Sequence, residues 1–156
     1  NAGTSTTAVD QIEFDLSELN AANGDLSAAV ADMQDGTSGA LAASDDMSVQ
    51  RITGDGQTGL AATEIFLIQT GATFQDDAAL ETAFAAGQVT FSTGSVTDND
   101  AILLGYTTTA GHVNIGIGQF NGTTGSSDSI DQVQTLVTLQ NVDIANLDGT
   151  DFLIVA

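Results

Sequence analysis

The sequence predicts a mainly β fold, an antiparallel β-sandwich or roll with one or two short helices, and three observations predict it. Short apolar or alternating runs recur along the chain, separated by turn residues. Only two stretches set their apolar residues at helical spacing. Proline is absent from all 156 residues, which suits strands and leaves charge and bulging glycines to guard the sheet edges. A chain of this length buries about 70% of its unfolded surface on folding, so a core forms without staples.

Residues 1–9 (NAGTSTTAV) show no periodicity and read as a flexible N-terminal arm, although their threonines would let them be recruited as a strand. Residues 10–156 then form one β-rich domain. In residues 10–19, Ile12, Phe14 and Leu16 alternate with Gln11, Glu13 and Asp15, the pattern of a half-buried strand. Residues 25–34 place Leu26, Ala29, Val30 and Met33 at helical spacing ahead of Asp35-Gly36, which predicts a short helix with a turn after it. Turn residues dominate the next stretch, with one strand over residues 47–52. Residues 63–69 (TEIFLIQ) are a near-continuous apolar run, as expected of a strand buried on both faces. The clearest helix spans residues 76–86, with Asp76 or Asp77 as N-cap, Leu80, Ala83 and Phe84 on one face, and Gly87 as the stop. Strands follow over residues 88–92, 101–107, 112–120, 132–139 and 152–155.

Charge is the most unusual property of the chain. Asp and Glu total 21 against a single basic residue, Arg51, for a formal net charge of -20. With a Debye length of about 8 Å at physiological ionic strength, neighbouring carboxylates on a small domain repel and work against compactness. Calcium or high salt is the economical counterweight, since hard divalent cations take oxygen ligands. The same charge argues against nucleic acid and anionic membranes as partners. No apolar run reaches the ~20 residues of a membrane helix, so no membrane insertion is expected. The absence of cysteine rules out disulfides, thiolate catalysis and Cys-based metal sites. The chain opens at Asn1 without an initiator Met, which reads as a processed N-terminus or a fragment.

Motifs for catalysis are few. Residues 54–59 (GDGQTG) match G-x-G-x-x-G in letters, but no helix opens after them and Asp55 would oppose a pyrophosphate, so they read as a glycine-rich turn. His112 is the sole histidine and heads a strand, with no nucleophile elbow or HExxH to make it catalytic. Asn121-Gly122-Thr123 fits the glycosylation pattern, but so short a motif arises by chance and reads as a turn. The Asp clusters suit calcium better: Asp98, Asn99 and Asp100 crowd donors into one inter-strand turn, and Asp148 and Asp151 do so before the last strand. Neither cluster keeps the EF-hand register, and a solvated turn using Asp for its own backbone chemistry is the alternative reading.

Several segments together resemble the non-repetitive C-terminal region of RTX-type exoproteins, which leave bacteria by type I secretion. They are Asp10-Gln11-Ile12-Glu13-Phe14-Asp15-Leu16-Ser17, Ala101-Ile102-Leu103-Leu104-Gly105-Tyr106 with Gly111-His112-Val113, and Leu136-Val137-Thr138-Leu139 through Val142-Asp143-Ile144 to the ending Asp151-Phe152-Leu153-Ile154-Val155-Ala156. No GGxGxD repeat is present, so the resemblance implies a secretion route, an extracellular location and a β-rich architecture, and not the calcium roll. The expectation is a non-enzymatic extracellular or cell-surface structural protein, a self-assembling subunit of a filament, surface layer or biofilm matrix. Copies would join as a homo-oligomer by strand addition, with calcium as the stabilising cation. The alternative is a C-terminal secretion or capping domain of a larger calcium-dependent adhesin or exoenzyme.

Overall fold

A computed structural model of the chain describes residues 11–15, 47–54, 63–90, 100–121 and 129–155. The expected arm over residues 1–9 and the expected helix over residues 25–34 lie outside them. β1 (Ile12–Asp15), β2 (Val49–Ile52), β3 (Ile65–Ile68), α1 (Asp77–Ala85), β4 (Ala101–Thr107), β5 (Val113–Asn121), β6 (Ser129–Leu139) and β7 (Phe152–Val155) follow in chain order. The mainly β expectation with a short helix is met.

Every residue of β3 is buried, so it needs cover on both faces, and the fold supplies it. Among the described residues β3 belongs to a five-stranded sheet of order β2-β3-β4-β5-β6, while β1 and β7 pair separately. One face of the large sheet presents Ile65, Leu67, Leu103, Val113, Ile115 and Ile117 to Phe14, Phe152 and Ile154 of the small sheet. Phe14 and Phe152 stack with ring centroids 6.4 Å apart. The opposite face presents Phe66, Ile68, Leu104, Tyr106 and Phe120 to Leu80, Ala83 and Phe84 of α1.

The antiparallel expectation holds for β4-β5-β6 and not for the rest of the sheet. β2, β3 and β4 run parallel to one another, as do β1 and β7. A helix between β3 and β4 carries the chain back across the sheet, so β4 starts from the same end as β3. Ser48 and Glu64, each just before its strand, bond one another through side chains and amides and fix the pairing of Val49 with Ile65.

Local chemistry sets the bounds of α1. Asp76 is the N-cap and accepts from Ala79 N at 2.9 Å, and Gly87, at φ 68, turns the chain out of the helix. Residues 88–92, expected as a strand, leave the helix differently: Gln88 N donates to Ala83 O at 2.9 Å and Val89 is buried beneath. Residues 88 and 89 are a bend, 90 is irregular, and 91 and 92 lie outside the described residues. The strand expected over 132–139 begins earlier, at Ser129, giving β6 eleven residues against nine in β5. Two register shifts absorb the excess, leaving Leu136 and Asp131 opposite no partner.

Candidate functional site

Asp98 and Asn99 lie outside the described residues. Asp100 is buried at the head of β4, and its backbone oxygen accepts from Phe120 N at 2.8 Å. Asp148 and Asp151 do come together, around the 3-10 turn Gly149–Asp151 that leads into β7. Asp148 Oδ1 accepts from Thr150 N at 2.9 Å and from Thr150 Oγ1 at 2.6 Å, while Asp151 Oδ2 accepts from Asp148 N at 2.8 Å. This is a capping box, in which each carboxylate satisfies an amide that the turn leaves open. The Thr150 hydroxyl and amide, with the charge of Arg51 adding to them, hold the Asp148 carboxyl below its ordinary value. Calcium takes about six to eight oxygens. This turn offers two carboxylates, each with one oxygen already engaged. Among the described residues no group of three or more His, Asp or Glu side chains is placed to hold a metal ion, so Asp100, Asp148 and Asp151 do not form one centre.

The turn is fixed from below as well. Met47 N donates to Gly149 O at 3.1 Å, and a Cβ on Gly149 would meet Met47 O at 1.8 Å. Arg51, on β2, donates to Ile144 O at 3.1 Å and to Leu147 O, closing the end of the 3-10 turn Ile144–Asn146. The chain's one basic side chain is thus a backbone cap. Arg51→Met is expected to destabilise the fold by about 1–3 kcal/mol in urea unfolding, because two carbonyls lose charged donors. Arg51→Lys should fall between, since an ammonium lacks the planar fork that reaches both oxygens.

A second cluster joins α1 to the large sheet. Asp77 Oδ1 accepts from Tyr106 Oη at 2.6 Å and from Thr135 Oγ1 at 2.6 Å, while Asp77 Oδ2 accepts from Thr135 N at 2.9 Å. One turn along the helix, Glu81 Oε1 accepts from Val133 N at 2.7 Å. Asn114 Nδ2 donates to Tyr106 Oη at 2.8 Å, and Asn114 Oδ1 accepts from Thr138 Oγ1 at 2.8 Å. Burial, with Asp77 beside it, pushes the Tyr106 phenol up to about 12. At neutral pH the phenol is therefore a donor holding the network together.

Sequence reasoning takes Asp77 only as a cap or first-turn acid and passes over Glu81. The signal was present: Asp77, Leu80, Glu81 and Phe84 share the i, i+3, i+4, i+7 stripe, so two acids sit in the face that the apolar residues bury.

The remaining motifs are placed plainly. His112 is half-buried at the end of the β4–β5 hairpin, where its backbone oxygen accepts from Thr108 N at 2.7 Å. Gly54 has open space around the position of a Cβ, and residues 55–59 lie outside the described residues, as do Gly122 and Thr123. No described helix is long and apolar enough to cross a membrane. Compared with protein-family models, with curated proteins and with solved structures, the chain gives no match.

Proposed function

We propose that the chain is a secreted, extracellular structural protein whose copies self-assemble by strand addition into a filament, surface layer or biofilm matrix stabilised by calcium. One observation carries this reading: a net charge of -20 whose only basic side chain is turned onto backbone carbonyls. A surface of that kind repels its own copies in dilute buffer, so close approach depends on cations or salt from outside. Asp98, Asn99, Asp100, Asp148 and Asp151 are the proposed ligands, the last two around the turn Gly149–Asp151. Ions held between facing copies would add oxygens that this turn does not supply alone. Nucleic acid and anionic membranes stay disfavoured as partners on the same charge.

The strand geometry supports joining by strand addition. Among the described residues, β2 pairs on one side with β3, and the small sheet has only two strands. A sheet edge is a ready template for another chain's strand, and backbone hydrogen bonds then give attachment whatever the surface charge.

The test follows the purified protein by electron microscopy and thermal unfolding in calcium, in EDTA, and in EDTA with matched high salt. Ordered assemblies and a raised melting temperature in calcium, both lost in EDTA, are the expected result. A monomer whose stability ignores all three conditions overturns the reading. It would favour a terminal secretion or capping domain of a larger exoprotein, in line with the resemblance of residues 151–156.

A further inference from the structure

Arg51 is the one residue in the sequence after which a trypsin-like protease can cut, because the chain has no lysine and no second arginine. Cleavage needs the basic side chain in the protease's acidic pocket and the residues on either side drawn out of the fold. The structure withholds both. The guanidinium is already engaged, donating to Ile144 O at 3.1 Å and to Leu147 O. The bond from Arg51 to Ile52 lies inside β2, where both residues pair with β3 and Ile52 is fully buried. The Arg51 carbonyl accepts from Gln50 Nε2 at 3.4 Å, and the Ile52 carbonyl accepts from Gln69 N at 2.7 Å. Exposed loop tips are the usual places for nicking, and every other position in the sequence lacks the residue such a protease requires.

The partners of Arg51 show which part of the fold holds the bond. Ile144 and Leu147 are the first residue and the C-cap of the 3-10 turn Ile144–Asn146, and the chain runs on from there through Gly149–Asp151 into β7. Met47, two residues before β2, donates to Gly149 O at 3.1 Å. Met47, Ile144, Leu147, Phe152 and Ile154 are buried in one apolar cluster, with Val49 of β2 packed against it. We propose that residues 144–154 are a lock on the Arg51–Ile52 bond. While they stay docked the protein resists trypsin-like proteases, and a local opening that frees them and β2 exposes the bond with β3 to β6 and α1 still folded. This goes beyond the assembly reading and stands without it, since it needs only Arg51 and the segment that carries its two carbonyls. One basic residue in 156, held in this way, leaves a protein that meets such proteases with no ready point of attack.

The experiment digests the full chain with trypsin in EDTA and matched high salt, so that no assembly shields the bond, and follows the products by mass spectrometry. Gln140→Arg adds a control site at an exposed position in the bend after β6, where cleavage should be at least about 100-fold faster than at Arg51–Ile52. Two further variants locate the opening. Phe152→Ala weakens the docked segment, and Leu80→Ala weakens α1 on the opposite face of the sheet. Phe152→Ala should speed cleavage at Arg51–Ile52 by about tenfold or more, whereas Leu80→Ala should leave it near the parent's rate while lowering the urea midpoint. Equal acceleration by the two overturns the proposal, because the bond then opens only with the whole molecule. So does a parent cut at Arg51–Ile52 as fast as at the control site. Where either variant does not fold, the parent alone decides: its cleavage rate should rise less steeply with urea than its unfolded population, and matching slopes overturn the lock.

Discussion

Gly116→Ala is expected to destabilise the protein at or beyond the upper end of the about 1–3 kcal/mol typical of overpacking, read as a fall in the urea midpoint. A Cβ there would lie 2.1 Å from Gln134 O, 2.8 Å from Gln134 C and 2.9 Å from Thr135 Cα. All three atoms are backbone of β6, so no rotamer change relieves the clash. The position adjoins the register shift at Leu136, and the strand beyond it carries the Val133 and Thr135 amides that α1 holds. Moving β6 outward therefore loosens the helix as well as the sheet. Gly105→Ala provides the contrast, because its nearest atoms, Ile115 Cδ1 at 2.6 Å and Leu67 Cδ2 at 2.8 Å, are ends of flexible side chains. Gly54→Ala, with nothing within 4 Å, should change the midpoint little.

Alkaline titration should produce the second large effect. Folding raises the Tyr106 pKa from 10.0 to about 12, chiefly through burial and then through the hydrogen bond to Asp77. The folded state thus holds this proton more tightly than the unfolded chain does. The stabilisation is fully present below pH 10, declines from there, and is lost as the pH passes about 12. A difference of that size corresponds to about 1–3 kcal/mol once solvent screening is counted. The composition makes the measurement clean: one tyrosine, no tryptophan, no cysteine, and Arg51 as the only Lys or Arg. Phenolate absorbance then reports Tyr106 alone. The expected result is a phenol that titrates near 12 while folded, with stability falling over the same range. Tyr106→Phe should flatten that fall, at a cost of about 1 kcal/mol at neutral pH for the lost hydrogen bond. An ordinary midpoint near 10 in the folded protein would refute the network.

Strands were legible where a single run carried its own signal. The unbroken TEIFLIQ announced a strand covered on both faces, and Asp76, Phe84 and Gly87 marked the start, buried face and stop of α1. Pairing direction was not legible, because β2 meets β3 and β1 meets β7 through contacts that no local window contains. Doubly buried β3 already leaned toward parallel neighbours, which are covered on both faces. Gln88 to Thr90 misled because Val89 has the look of a strand residue, while the Ala83 carbonyl draws the chain along the helix exit instead. The candidate site was half legible. Aspartates at 148 and 151 were rightly placed in one turn, yet composition could not tell that the turn's own amides engage them. Arg51 showed in the sequence only as an isolated charge, since its partners at Ile144 and Leu147 lie more than 90 residues away.

The parallel pairing of Ile12 with Phe152 ties together positions about 140 residues apart. Closing so long a loop carries an entropic penalty that nearer contacts do not, and such contacts slow folding. Phe14 has its aromatic partner only once Phe152 arrives, and the face shared by Ile65, Leu103 and Ile115 gains its cover at the same step. A nascent chain held at β6 thus has an open apolar face and must wait for β7 to close it. Until those residues arrive, that one face stays uncovered while the opposite face is already closed by α1.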